Sequence, residues 1–433
     1  MTKRRLALTM TSFEQGQVHQ MRIHVMPTKR FKTFAIALYI GVPLEESTVT
    51  EVALTPFALR RGTETYPETI QFRERLDDLY GAGFGFDVLK RGDYQIVQFR
   101  MDIINDAFVA SEQSLLQQSF AFLGEVLTKP ALKQNKYRDK YVDAEKETLR
   151  KRLDSIVNDK IRYAAERCIE EMCKNEPYRL HPLGKREDIE GITSESLVKH
   201  YEKWLQSANM DLYVVGDTSL EEVQKLVEQS FQLQRSKEVN YELKAPTRQS
   251  RDVQTIVEKL DVGQGKLNMG LRTSITYGDD QYAAALMYNG ILGGYPHSKL
   301  FVNVREKASL AYYASSRFDG HKGICTIQSG IEIENYEKAV EIIRQQLDSM
   351  KTGTISDLEL TQTKAMISNH VRELGDSAFE MIGYDFNRQL SGKNRPASQL
   401  LEQIENVTIA DIQAAAQTFE LDTIYYLRDR KGE

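Results

Sequence analysis

Two hydrophobic periods follow one another along this chain, and the succession occurs twice. In VQFRMDIIN the apolar positions Val97, Phe99, Met101 and Ile103 alternate with Gln98, Arg100 and Asp102, the period of a strand with one buried face. ICTIQSGIEIEN repeats the pattern through Cys325, Ile327, Ile331 and Ile333. Each run ends at an asparagine, Asn105 or Asn335, and a long amphipathic stretch follows. DAFVASEQSLLQQSFAFLGEVL and YEKAVEIIRQQLDSM are therefore predicted to be helices that begin directly after those asparagines.

Nearer the end of each half, GITSESLVKHYEKWLQSANMDLYVVGD corresponds to VTIADIQAAAQTFELDTIYYLRD. Both read as a threonine-initiated helix followed by a short apolar strand. The order of elements recurs along with their type, which implies a duplicated α+β domain. After the first copy TSLEEVQKLVEQSF adds a helix capped by Ser219, and the polar run that follows, with Pro246, reads as a linker. The expected division is residues 1–234, a linker at 235–251, and residues 252–433. Clean alternation in many strands favours mostly antiparallel sheets with helices on one face, and FAIALYI, apolar on both faces, is expected at the centre of the first.

A length of 433 residues suits two cores rather than one. With 41% hydrophobic and 27% charged residues and a net charge of −5, the composition is globular and lacks the concentrated basic face of a nucleic-acid binder. No apolar run reaches the length of a membrane span. The opening MTKRRLALTMTSFEQGQ is basic, but Thr9, Thr11 and Ser12 interrupt its apolar stretch, so it does not read as a signal peptide and a cytoplasmic location is expected. Cys168, Cys173 and Cys325 make no disulfide framework or zinc pattern and are expected as free, buried thiols.

Several candidate motifs fail on mechanism. YGAGFGFDV has G-x-G-x-G spacing and leads into a strand, so no helix N-terminus is present to hold phosphate; a turn entering a strand is expected. GQGKL at 263–267 lacks the spacing of a phosphate loop and reads as turn and strand. None of His19, His24, His181, His200, His297, His321 and His370 stands four from another, so no helix presents two imidazoles on one face. His19 and His24 are expected on opposite faces of a strand, as surface or edge residues. No G-x-S-x-G elbow is present.

The segment LGGYPHSKLFVNVREKASLAYYASSRFD, residues 292–319, closely resembles the C-terminal-domain signature of the pitrilysin-type inverzincin family, which includes insulin-degrading enzyme and the mitochondrial processing peptidases. Arg305, Glu306, Leu310, Ala311 and Tyr312 match in place, and HPLGKREDIEGIT at 181–193 resembles the family's H-P-L-G segment. The resemblance covers nearly the whole chain. It implies two halves packed as a clam around an enclosed space, each a sheet of about six mostly antiparallel strands flanked by helices.

Active members of that family carry H-x-x-E-H on a helix, two zinc ligands and a general base. Laid on ALTPFALRRGT, the histidines fall at Ala53 and Phe57 and the glutamate at Pro56, none of which offers a lone pair or a proton acceptor. Pro56 either sits inside a helix, at a cost of about 3 kcal/mol, or opens one with Thr55 as N-cap. The third ligand of the family is a glutamate seven residues after another acid. That spacing places Arg152 beyond Glu145, and a shift of two would pair Glu147 with Asp154. No metal or other cofactor is expected. Arg305 and Tyr312, seven apart, resemble the Arg and Tyr that active members set opposite the zinc against the substrate backbone. The resemblance therefore implies an inactive peptidase homologue whose partners are an active H-x-x-E-H paralogue, in a heterodimer, and a peptide. The competing expectation is a stand-alone peptide-binding scaffold that receives a strand at an exposed edge such as GFGFDVLK, where Gly83 and Gly85 leave room. For Arg305 and Tyr312 the plain structural alternatives are an ion pair with a neighbouring acid and a place in the core.

Overall fold

A computed structural model describes residues 12–235, 240–242 and 252–430. The first half forms a six-stranded sheet from β1 (Glu14–Val18), β2 (Met21–Pro27), β3 (Thr33–Pro43), β4 (Gly83–Arg91), β5 (Tyr94–Ile104) and β6 (Asn209–Gly216), in the order β1-β2-β6-β3-β5-β4. The second forms a five-stranded sheet from β7 (Gln254–Lys259), β8 (Gly265–Arg272), β9 (Ala311–Asp319), β10 (Ile324–Ile331) and β11 (Glu420–Arg428), in the order β7-β11-β8-β10-β9. Without β1 the first order becomes the second, strand for strand. Each sheet has one parallel pair at the equivalent place, β2 with β6 and β7 with β11. The second sheet thus has one strand fewer than the six expected.

Around the first sheet stand α1 (Val49–Leu59), α2 (Thr69–Asp78), α3 (Leu115–Thr128), α4 (Asp139–Asn158), α5 (Lys160–Met172), α6 (Ser194–Ser207) and α7 (Leu220–Ser230). The second half carries α8 (Tyr282–Asn289), α9 (Tyr336–Lys351), α10 (Asp357–Glu373), α11 (Ala378–Leu390), α12 (Ala397–Asn406) and α13 (Ile409–Thr418). Thr193 and Thr408 cap α6 and α13 as their sequences predict. Only the helix after Asn105 departs. Asn105 caps a short turn at Asp106–Phe108 instead, and Asp106 Oδ1 accepts the Leu115 N–H at 2.6 Å, so the acid expected inside α3 caps it from outside.

Each sheet buries one face against its own helices and the other against a helix of the opposite half. α5 crosses to β8 and β11, where Cys168 meets Tyr425 and Leu427. α11 crosses to β3 and β6, where Phe386 stacks on Tyr39 at 3.9 Å. This exchange corrects the expectation for His24, which is buried, stacks on Tyr213 at 4.2 Å and bonds Asp211 at 3.0 Å. Its stacking partner Tyr213, on β6, packs in one cluster with α11 of the other half, and local alternation cannot reveal such a cover. His19 lies in the β1–β2 turn with φ 49°. The three cysteines are free and buried, as expected.

Most of the expected linker, 236–239 and 243–251, lies outside the described residues. Within the rest Tyr241 packs edge-on to Tyr94 at 5.0 Å and lies against Phe386, so at least this residue is tied to both halves. A buried ionic cluster joins the halves directly. Glu176 meets Arg272 at 2.6 Å and Lys322 at 2.8 Å, and Lys322 also reaches Asp93 at 2.7 Å. Between the halves, an open cavity of about 600 Å³ is lined by Lys90 of β4, Glu166 of α5, and Arg317 and Thr326 of the second sheet, among others.

Candidate functional site

The helix α1 holds Ala53, Pro56 and Phe57, the residues on which the family resemblance lays the zinc motif. Every residue from Val49 to Leu59 except Glu51 is buried, because α1 lies between β5 on one side and α4 and α6 on the other. The helix begins at Val49, where Thr48 O accepts the Val52 N–H at 2.9 Å. Pro56 therefore sits inside it, and the alternative with Thr55 as N-cap does not occur. Thr55 Oγ1 instead donates back to Glu51 O at 2.8 Å. Tertiary packing on all sides sustains a helix that proline would break in isolation.

Ala53, Pro56 and Phe57 are buried, and the Phe57 ring occupies the space between α1, β4 and α4. It meets Phe86 of β4 edge-on at 4.8 Å. The Arg152 guanidinium of α4 lies 4.8 Å from the centre of the same ring. Arg152 is therefore the α4 side chain that faces the old motif, while Glu147 pairs with Arg150 and Lys151, and Asp154 pairs with Arg186 at 2.7 Å. Glu145 is buried and bonded to Arg61 Nε at 2.6 Å. An alanine, a proline and a phenylalanine supply no donor atom, the fourth residue is a cation, and the one carboxylate is committed to an arginine. These residues do not fit the zinc that the family resemblance implies. Among the described residues no group of three or more His, Cys, Asp or Glu is placed to hold a metal.

The H-P-L-G segment has a structural task. Gly184 has φ +80°, and a Cβ there would lie 2.5 Å from Thr50 Cα. Only glycine lets this loop close on the first turn of α1, where Lys185 N donates to Thr50 Oγ1 at 3.0 Å. Burial pushes His181 down to about 4, so it is neutral at pH 7, and its Nδ1 accepts the Leu183 N–H at 3.1 Å.

In the second half α8 continues into a π-helical turn at Gly290–Gly294, and a second one spans Phe301–Lys307. Such wide turns occur often at functional sites, and nothing in the sequence period announced them. Arg305, on the second turn, is exposed and stacks on the Phe301 ring at 4.5 Å. It makes no ion pair among the described residues. Tyr312 opens the edge strand β9 and is 55% exposed. Its hydroxyl donates to Glu332, and that bond raises its pKa. Neither plain alternative obtains: Arg305 is not neutralised by a neighbouring acid, and Tyr312 is not core. The two side chains do not bond to each other; one turns to Phe301 and the other to Glu332.

Residues 191–367 match the family profile described as the Peptidase M16 inactive domain. "Probable inactive metalloprotease YmfF" of Bacillus subtilis (strain 168) is 40% identical over 411 residues, spanning 94% of this chain and 96% of its own. The chain belongs to the peptidase M16 family. A solved structure of a conserved protein from Enterococcus faecalis V583 matches with a TM-score of 0.92 at 31% identity, covering 98% of this chain and 100% of the other. "Uncharacterized zinc protease YmxG," also from Bacillus subtilis (strain 168), is 23% identical over 238 residues, 54% of this chain and 57% of its own. This M16 protein is thus an inactive metalloprotease homologue. No helix among its described residues is long and apolar enough to cross a membrane.

Proposed function

We propose that this M16 protein is the non-catalytic subunit of a peptide-processing pair, in which a zinc-bearing paralogue cuts and this chain presents Arg305 and Tyr312 to the bound peptide. The observation that carries the reading is the exposure of both side chains beside the free edge of the second sheet, without an ion pair for one or a core role for the other. A guanidinium with free N–H edges suits peptide carbonyls, and a phenol suits a developing oxyanion. In this reading residues 1–234 and 252–433 act as two domains around the shared cavity. That one strain is the source of both the inactive relative and the relative named as a zinc protease supports the pairing.

Mixing the chain with its H-x-x-E-H paralogue is expected to raise peptidase activity. Tyr312→Phe then lowers turnover by about a hundredfold, the common effect of losing one oxyanion donor, while light scattering shows the complex intact. Arg305→Ala raises KM more than it lowers kcat. Full activity from the double variant in an intact complex removes both residues from the chemistry. The reading then passes to a stand-alone peptide-binding scaffold, which the free edge of β4 favours: β4 pairs only with β5 among the described residues, and the Cβ direction of Gly85 is open.

A further inference from the structure

Beside α1 the molecule carries three arginines, Arg60, Arg73 and Arg152, that form no ion pair among the described residues. Arg60 ends α1 and lies over the Phe86 ring at 5.3 Å. Phe86 meets Phe57 at 4.8 Å, and Arg152 lies 4.8 Å over the opposite partner of that contact, the Phe57 ring. Two guanidiniums are thus held in place by a pair of touching aromatic rings, an arrangement that fixes their planes and leaves N–H edges free. Arg73 of α2 lines, with Arg60, a cavity of about 270 Å³ that Phe84 of β4 also lines. Partial burial and the nearby Arg152, Arg61 and Arg73 lower the pKa of Arg60, against the opposing pull of Glu145.

Other arginines of the first half are matched: Arg61 by Glu145, Arg138 by Glu68, Arg150 by Glu147 and Glu190, and Arg186 by Asp154. Arg60, Arg73 and Arg152 have no ion pair among the described residues. The one carboxylate lining the cavity, Glu145, is bonded to Arg61 at 2.6 Å through one oxygen and keeps the other buried without a hydrogen-bond partner, so a single negative charge stands against Arg60, Arg61, Arg73 and Arg152. The cradle therefore keeps an excess of positive charge where the metal would have supplied it.

The cradle adjoins a free strand edge. Phe84 and Phe86 pack on the core side of β4 while Gly83 and Gly85 alternate to the other face. A peptide added along β4 would lie about 4.8 Å away, and every second side chain would fall on the Phe84–Phe86 face, beside the arginines. We propose that this cradle is an anion subsite that receives acidic side chains, Asp or Glu at alternate positions, of an extended peptide lying along β4. Carboxylates suit it because they can accept two parallel N–H bonds from a planar guanidinium. The inference rests on the peptide-binding reading above and adds to it the class of peptide.

The test uses the full chain and two labelled peptides, one alternating Thr with Glu and its counterpart alternating Thr with Gln, followed by fluorescence anisotropy at low and high salt. The acidic peptide is expected to bind about tenfold more tightly at low salt, with the preference shrinking as salt screens the exposed charges. Arg60→Gln/Arg73→Gln/Arg152→Gln removes the preference, so that the Glu and Gln peptides bind alike. Arg73→Gln alone, a change on an exposed helix, reduces it by about two- to threefold and serves if the triple variant does not fold. Equal affinity of the wild type for both peptides overturns the acidic class while leaving peptide binding in place. Binding of neither overturns the peptide reading and the inference together. A preference that survives in the folded triple variant overturns this site.

Discussion

The region around Phe57 and the region around Arg305 and Tyr312 differ in what holds their side chains. In the first, Ala53, Pro56 and Phe57 are buried, and Phe57 joins three elements of the core. In the second, both side chains are exposed and bear on no core contact. The first region is packed core, so mutations there should read out as stability. The second has no packing task, so mutations there should read out as function alone.

The severest test of that contrast is to rebuild the motif as Ala53→His, Pro56→Glu and Phe57→His. Ala53→His and Pro56→Glu overpack buried sites, Phe57→His trades ring packing for a smaller polar ring, and all three bury unpaired polar groups, for a loss of roughly 5 kcal/mol or more. Denaturation should show that loss, and elemental analysis should find no tightly held zinc. Adding Arg152→Glu should raise the zinc content of the folded fraction. Tight zinc in the triple variant alone would mean that Arg152 does not occupy the third-ligand position.

Phe57→Ala, which removes packing without adding polarity, should cost about 3–5 kcal/mol in urea unfolding. A loss below about 1 kcal/mol would show that the old motif is not an integral part of the core.

The ionic cluster at Glu176 fixes how the two regions stand to one another. Burial pushes this carboxyl up, but Lys322 and Arg272 outweigh it and hold its pKa below the ordinary value. A depressed folded value means that the cluster stabilises the protein above the ordinary glutamate range and that this contribution is lost as pH falls through the folded value. Glu176→Gln should therefore cost about 1–3 kcal/mol at neutral pH, since Lys322 keeps Asp93 and Arg272 keeps Asp422, and should flatten the acid limb of stability against pH. An unchanged acid limb would assign it to other carboxylates.

At the small end, Tyr312→Phe and Arg305→Ala should each shift stability by less than about 0.5 kcal/mol, measured on the isolated chain. A larger loss from either would return it to a structural role and weaken the contrast.

Much of the architecture was legible in the sequence, since strand alternation, the threonine caps of α6 and α13 and the repeated order of elements are local signals written twice. The loss of the metal motif was legible too, because a side chain without a lone pair cannot bind zinc in any fold. Where local signals competed, the reading failed: Asn105 and Ser114 are both good caps, and only the bond from Leu115 N to Asp106 placed the start of α3.

What tertiary structure decided are the contacts between residues far apart in the chain. His24 is buried against Tyr213 and Asp211 of β6, Pro56 is tolerated because α1 is enclosed, and Arg152 meets Phe57 because α4 packs on α1. Sequence period reports which face of an element is apolar, but not which element will cover it. That choice is made by long-range packing, and it made α1 part of the core while leaving Arg60, Arg73 and Arg152 beside it without an ion pair among the described residues.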